Sequence, residues 1–168
     1  MTTLNTIAPP TKRGKLVSTE HVNELVGNYK KERWLENSKK IGKNDSMSTW
    51  FGLDELQAFL EMAREHHADG IKMYYGVYPS VFPENPQLES RQTIVLVATK
   101  EKQTSAGMVN KEIYLNKDGK TGILAFNFGN ICPPFCTDPT GPHYPPYEMD
   151  HSPIGLSITE ENGKIIIT

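Results

Sequence analysis

The spacing of apolar residues along the chain changes from helical to alternating near residue 70. Before that point two stretches repeat apolar side chains every three or four residues, which is typical of helices with one buried face. These residues are Val22, Leu25, Val26 and Tyr29, and then Leu53, Leu56, Phe59, Leu60 and Ala63. Ser18 or Thr19 can cap the first helix. A polar, Lys-rich stretch from Asn37 to Ser48 predicts a linker between the two helices.

After residue 70 the pattern predicts strands. In "GIKMYYGVYP" every second residue from Ile71 to Val77 falls on one face, and "RQTIVLVATK" is apolar on both faces, as a central strand is. Asp118-Gly119 and Asn162-Gly163 are typical of hairpin turns. Helices followed by runs of strands favour an α+β fold, with two N-terminal helices packed on a mainly antiparallel sheet of five to six strands. The pattern contains no βαβ unit after Ile71, and this argues against a dinucleotide-binding fold.

Length and composition fit one domain with a tail. The chain has 168 residues, of which 37% are hydrophobic, and this is enough for a single core. Residues 1–17 contain Pro9-Pro10 and a Lys/Arg cluster and have little to bury, so they predict a disordered or extended tail. Residues 18–168 then form the single α+β domain.

Charge is distributed unevenly. The net charge of −2 divides into +4 for residues 1–45 (nine basic, five acidic) and −6 for residues 46–168 (nine basic, fifteen acidic). This balance predicts neither a polyanion nor a membrane as partner. Nucleic-acid binding ranks last among the functions considered, because no aromatic platform accompanies the basic residues. These residues are Lys30, Lys31, Arg33, Lys39, Lys40 and Lys43.

No apolar run has the length of a membrane span, and the N-terminus lacks the order of a signal peptide. We therefore expect a cytoplasmic protein. Thiols are kept reduced in that compartment, so a structural disulfide between Cys132 and Cys136 is disfavoured.

The stretch "GNICPPFCTDPTGPHYPPYEMDH", Gly129–His151, contains the candidate chemistry, and we call it the proline-rich segment. It holds both cysteines, two of the five histidines and six of the twelve prolines of the chain. Stiff segments lose little entropy on binding, and aromatic side chains supply contact area. The segment is therefore a candidate binding surface for an unknown protein or small molecule. The candidate binding residues are Phe135, His143, Tyr144 and Tyr147. A simpler interpretation is a loop that covers a sheet edge.

The same segment permits two kinds of enzyme site. Cys132, Cys136, His143 and His151 follow the spacing C-x3-C-x6-H-x7-H and could bind zinc. A nucleophilic thiol is the second kind, with His143 as its base if the segment folds back. The two prolines after Cys132 remove backbone donors that would support either site. Without metal, the cysteines would be reduced thiols packed as small apolar groups.

One longer pattern resembles a known group of proteins. "STWFGLDELQAFLEMAREHHADGIKMYYGVYP", followed by "RQTIVLVATK", is similar to small proteins of unknown function from Bacteroidetes-type bacteria, and "NICPPFC" fits the same group. The resemblance covers roughly residues 48–100. It implies a bacterial cytoplasmic protein and assigns no activity or catalytic residue.

These observations favour a non-enzymatic binding or protein-interaction module that uses the proline-rich segment and needs no cofactor. The alternative is a zinc-binding or thiol-dependent enzyme centred on Cys132, Cys136 and His143. Whether the chain is an enzyme is left open.

Overall fold

The computed structural model describes residues 14–136 and the backbone of residues 158–161 and 164–167. The chain divides into two compact units, Met1–Cys136 and Thr137–Thr168. The second unit is described only by its antiparallel hairpin, in which Glu161 pairs with Lys164 around the predicted Asn162-Gly163 position. The single domain over residues 18–168 stays a prediction.

The first helix is longer than the sequence indicates. It consists of α1 (Thr19–Tyr29), a π-helical turn (Lys30–Trp34) and α2 (Leu35–Ile41), which follow one another without interruption. The Ser18 side chain accepts a hydrogen bond from the His21 N–H at 3.3 Å and caps the start. Trp34, near the end of this helix, is buried. The helix continues to Ile41, so the linker predicted from Asn37 begins only after that residue.

The second helix, α3 (Leu53–Glu65), forms where its apolar spacing predicts it. The Gly52 N–H donates to Glu55 Oε2 at 2.8 Å, which satisfies a free amide at the helix start. Of the two aromatic residues before α3, Phe51 packs on the core, whereas Trp50 is 64% exposed.

The strands follow in a long series. They are β1 (Ser48–Trp50), β2 (Gly70–Val77), β3 (Gln92–Thr104), β4 (Gly107–Glu112), β5 (Tyr114–Lys117), β6 (Lys120–Ile123), β7 (Ala125–Phe126), β8 (Asn130–Cys132), β9 (Ile158–Glu161) and β10 (Lys164–Ile167). Asp118 and Gly119 both have positive φ, at 51° and 74°, and form the predicted turn between β5 and β6.

The mixed α+β class and the antiparallel pairing are confirmed, but the predicted single sheet is wrong. The largest sheet has four strands, in which β3 pairs with β2 on one side and with β4 and β7 on the other. The remaining described strands form the separate pairs β1–β8, β5–β6 and β9–β10. The β5–β6 hairpin is an excursion between β4 and β7, and the residues on either side of it, Ile113 and Leu124, bond to Ala98 of β3.

The main core lies between α3 and the central strand β3. Phe59 and Ala63 of α3 pack with Leu96 and Ala98 of β3, and Phe59 stacks on Phe126 with ring centroids 5.3 Å apart. Burial of one such aromatic side chain stabilises the fold by roughly 1.5–3 kcal/mol. By contrast α1 buries no residue, so the prediction of two helices packed on the sheet is also wrong.

Among the described residues, no helix combines the length and apolar character needed to cross a membrane.

Candidate binding surface at the root of the proline-rich segment

The first eight residues of the proline-rich segment, Gly129–Cys136, are described by the structure, and we call them the root. Strand β8 within the root pairs antiparallel with β1, so that Ser48 faces Cys132 and Thr49 faces Ile131. The Met47 N–H donates to the Cys132 carbonyl at 2.7 Å. Ile131 is completely buried. These contacts hold the root in a fixed position in the first unit.

Gly129 permits a close approach at the start of the root. A Cβ atom at this position would lie 2.6 Å from the ring of Phe51 and 2.7 Å from the Thr49 methyl group. Carbon atoms do not pack this closely, so any other residue would push β8 away from β1. Glycine is thus needed here for its lack of a side chain.

A disulfide between Cys132 and Cys136 closes the root, and the sequence-based expectation of free thiols is wrong in this structure. The Phe135 N–H donates to the Ile131 carbonyl at 2.9 Å, which turns the chain back. The turn brings the two Cα atoms within 4.8 Å, inside the range that a disulfide spans. The expectation rested on a reducing compartment and could not anticipate this local geometry.

Phe135 is the one predicted binding residue that lies in the described part of the chain. It is half-buried and packs against a small apolar cluster formed by Tyr78, Leu88 and Ile131. This packing anchors the root, and the exposed half of the Phe135 side chain offers a contact surface. The other predicted binding residues, His143, Tyr144 and Tyr147, lie outside the described residues.

The predicted zinc site is only half described. Cys132 and Cys136 are joined to each other, while His143 and His151 lie outside the described residues. Zinc binds the thiolate form of cysteine, and a disulfide sulfur cannot supply it. Within residues 14–136, no three His, Cys, Asp or Glu side chains are placed to hold a metal ion. The zinc site stays a prediction, and it requires the reduced form.

Three aromatic rings lie next to the root, and we call Tyr78, Phe82 and Phe128 the aromatic cluster. Their ring centroids are 5.6 Å apart for Tyr78 and Phe82, 6.0 Å for Tyr78 and Phe128, and 6.4 Å for Phe82 and Phe128. Tyr78 is buried, but Phe128 is 68% exposed. The Phe128 ring therefore faces solvent while it packs against the rings of Tyr78 and Phe82.

Phe128 has an unusual backbone conformation. Its φ of 68° lies in the left-handed region, which is rare for bulky residues and costs of order 1–3 kcal/mol. The neighbouring Asn127 maintains this conformation. Its Nδ2 donates to Thr93 Oγ1 at 3.1 Å and to the Ile94 carbonyl at 2.7 Å, and its Oδ1 accepts from the Tyr78 hydroxyl at 3.0 Å. The side chain of Asn127 thus connects the aromatic cluster to the central strand.

A buried polar network centred on Asp45 lies near β1 and holds the first helix to the main sheet. The Trp34 Nε1–H donates to the Asp45 carbonyl at 2.7 Å. Asp45 Oδ1 accepts from the backbone N–H groups of Ser46, at 2.8 Å, and Gln92, at 2.7 Å, and the Ser46 hydroxyl donates to the Gln92 carbonyl. These bonds satisfy the buried carboxylate and fix the chain just before β1.

Arg91 lies near Asp45 in the interior. Its Nε donates to the Gln87 carbonyl at 2.8 Å, while buried Nη1 has no hydrogen-bond partner among the described residues. Burial lowers the pKa of the Arg91 guanidinium, and the nearby Asp45 carboxylate opposes this effect. With 8% of its surface exposed, Arg91 is not accessible to a ligand.

An open groove of about 240 Å³ runs along α1 and is separate from the aromatic cluster. Leu25, Val26 and Tyr29 form its helical side, and Tyr75 and Ile94 lie across from them. Burial raises the pKa of the Tyr29 hydroxyl, and Asp45 adds to this effect. The Tyr29 hydroxyl has no hydrogen-bond partner of good geometry among the described residues.

Sequence reasoning missed the most exposed member of the aromatic cluster. Phe128 belongs to "TGILAFNFG", which predicts a continuous strand, whereas the structure ends β7 at Phe126. The one available signal was the Phe128-Gly129 pair, which Asn130, Ile131 and Cys132 separate from the first proline of the segment.

No protein-family model, curated protein or solved structure matches this chain. The function is therefore inferred from the sequence and from the geometry of the described residues.

Proposed function

We propose that this chain is a non-enzymatic protein-interaction module. Its binding surface consists of the aromatic cluster and the root. His143, Tyr144 and Tyr147 are proposed as further binding residues from the sequence alone. Aromatic side chains are enriched at interfaces because they bury a large area and lose little conformational entropy.

The exposed ring of Phe128 is the observation that carries this proposal. A phenylalanine that is 68% exposed contributes little to stability, yet its backbone is in an unfavourable conformation. The buried Tyr78 and the Asn127 hydrogen bonds hold the ring in place. A rigid, solvent-facing aromatic ring is what a binding hot spot requires.

The root supports the same proposal because it begins the proline-rich segment from a fixed point. Strand pairing with β1, the buried Ile131 and the disulfide together limit the motion of residues 130–136. A segment that is fixed at its start and stiffened by proline loses less entropy when a partner binds. The disulfide also occupies both sulfurs, so in this oxidised form neither cysteine can act as a nucleophile or zinc ligand.

Two further features remain proposals. We propose a bacterial origin among the Bacteroidetes-type group, from the sequence resemblance alone. We also propose a cytoplasmic location, and in that compartment the disulfide would be open for much of the time. Labelling of free thiols in intact cells measures this directly.

Selection from a displayed peptide library tests the proposed function. Peptides enriched on the full chain should bind Phe128→Ala at least about tenfold more weakly, since hot-spot truncation typically costs more than 1 kcal/mol. Tyr114→Ala is the matched control, because Tyr114 is an aromatic residue of β5 that is 60% exposed. Peptides that bind both variants as tightly as the original chain would contradict the proposal, provided circular dichroism shows that both are folded.

A further inference from the structure

α1 exposes an apolar stripe on the surface. Val22 is 45% exposed, Leu25 55% and Val26 39%, and α1 contains no buried residue. A surface helix normally turns such a stripe toward a core. We call Val22, Leu25, Val26 and Tyr29 the α1 stripe.

The main sheet forms the opposite side of the groove from the α1 stripe, and that side is also apolar. Tyr75 of β2 is 82% exposed and lines the groove together with Ile94 of β3. Two apolar walls with an open space between them form a surface for another apolar element. The helix and the sheet edge can therefore be covered together by one partner.

We propose that the partner is a second copy of this chain, whose α1 packs antiparallel against the α1 stripe. The stripe positions follow the spacing i, i+3, i+4, i+7, which is symmetric about the midpoint between Leu25 and Val26. A two-fold axis through that midpoint places Leu25 against Val26 of the partner subunit and Val22 against Tyr29 of the partner subunit. A two-fold interface requires this self-complementarity.

Charge favours the antiparallel direction. Thr19–Tyr29 carries two acidic and no basic residues, a net of −2, whereas Lys30–Trp34 carries three basic residues and one acidic, a net of +2. Antiparallel packing places the acidic part of one helix beside the basic part of the other. Parallel packing would place like charges side by side, within the roughly 10 Å range over which they interact.

This inference is independent of the proposed function, because the α1 stripe and the aromatic cluster are different surfaces. Phe128→Ala should leave the self-association unchanged. A failure of peptide binding and a failure of dimer formation can therefore be told apart.

Sedimentation velocity of the full chain over a range of concentrations tests the proposal. We expect a monomer–dimer equilibrium whose dissociation constant rises at least about tenfold in Leu25→Glu, since each dimer then buries two charged residues. Leu53→Glu is the matched control, because Leu53 of α3 is 84% exposed and outside the stripe, and it should dimerise normally. A chain that stays monomeric, or a Leu25→Glu dimer as tight as the original, would overturn the proposal.

Charge reversal tests the antiparallel direction. Glu20→Lys with Glu24→Lys should weaken the dimer at low salt, and adding Lys31→Glu with Arg33→Glu should restore it. In a parallel dimer, Glu20→Lys with Glu24→Lys replaces a contact between acidic residues by a contact between basic residues, so the dissociation constant should change little. An unchanged dissociation constant would therefore contradict the antiparallel direction. Circular dichroism checks that each variant remains helical.

Discussion

At the residue scale, Glu112 of β4 is held by two side chains of β2. Its Oε1 accepts hydrogen bonds from the Lys72 ammonium at 2.5 Å and from the Tyr74 hydroxyl at 2.6 Å. Chiefly the Lys72 bond, and then the Tyr74 bond, lower the pKa of Glu112 from 4.5 to about 2. The same contacts raise the pKa of Lys72. The three side chains tie β2 to β4 across the intervening strand β3.

This environment predicts a pH dependence of stability. A carboxyl group with a lowered pKa in the folded state stabilises the fold fully above its unfolded value, and the contribution disappears as the pH falls through the folded value. For Glu112 the loss should therefore occur between about 4.5 and about 2. Urea unfolding of the original chain and of Glu112→Gln should give free energies that converge as the pH falls through this range.

Glu65→Gln is the control for this measurement, since Glu65 lies at the end of α3 and bonds to neither Lys72 nor Tyr74. At neutral pH, Glu65→Gln should change the free energy of unfolding by less than Glu112→Gln does. A Glu112→Gln variant that is as stable as the original chain from neutral to acid pH would show that the Lys72–Glu112–Tyr74 contacts contribute nothing to folding.

At the scale of single elements, local patterns predicted most of the structure. The spacing of Leu56, Phe59 and Ala63 predicted α3, and the Asp-Gly and Asn-Gly pairs predicted two hairpins that the structure contains. The apolar run of β3 predicted a central strand, and β3 has partners on both sides. These features depend on contacts between residues close in sequence, so periodicity and turn chemistry suffice to reveal them.

Features that depend on distant residues were not predicted. The helix continues past Asn37 because Trp34 bonds to Asp45, and β8 forms because β1 lies beside it. The hairpin of β3 and β4 also lacks a strong turn signal in "TSAGMVN". Of the candidate site, the sequence located the proline-rich segment and Phe135, but Phe128 becomes part of it only through contacts with Tyr78 and Phe82.

The root provides a prediction at the element scale. A disulfide that joins residues four positions apart restricts the unfolded chain only slightly, so reduction should lower the free energy of unfolding by about 2 kcal/mol. Urea unfolding with and without a reducing agent measures this difference. The double variant Cys132→Ser with Cys136→Ser should have the stability of the reduced chain and should not respond to the reducing agent. An original chain that is equally insensitive would show that the bond is absent or without effect.

At the scale of the whole molecule, many large apolar side chains of the described unit are exposed to solvent. Besides Phe128 and the α1 stripe, the exposed apolar residues include Met73 and Val77 of β2, at 66% and 68%. Isolated exposed apolar side chains are ordinary, but contiguous ones mark interaction surfaces. The described unit therefore presents two such surfaces, one at the root and one along α1.

Both proposals assign the described unit to recognition, and the proposed function depends on the cysteines having a structural role. If the sulfurs bind zinc or act as a nucleophile, the root belongs to a reaction site. The state of the two sulfurs therefore separates the binding module from the enzyme more directly than any property of the partner.

Native mass spectrometry of the full chain, purified without a His-tag or reducing agent, measures that state. We expect a mass per chain that is lower than the sequence mass by two hydrogen atoms, with no bound zinc, as a Cys132–Cys136 disulfide requires. A chain that retains one zinc ion, and loses it when Cys132 and Cys136 are changed to Ser, would contradict the account and favour the zinc enzyme.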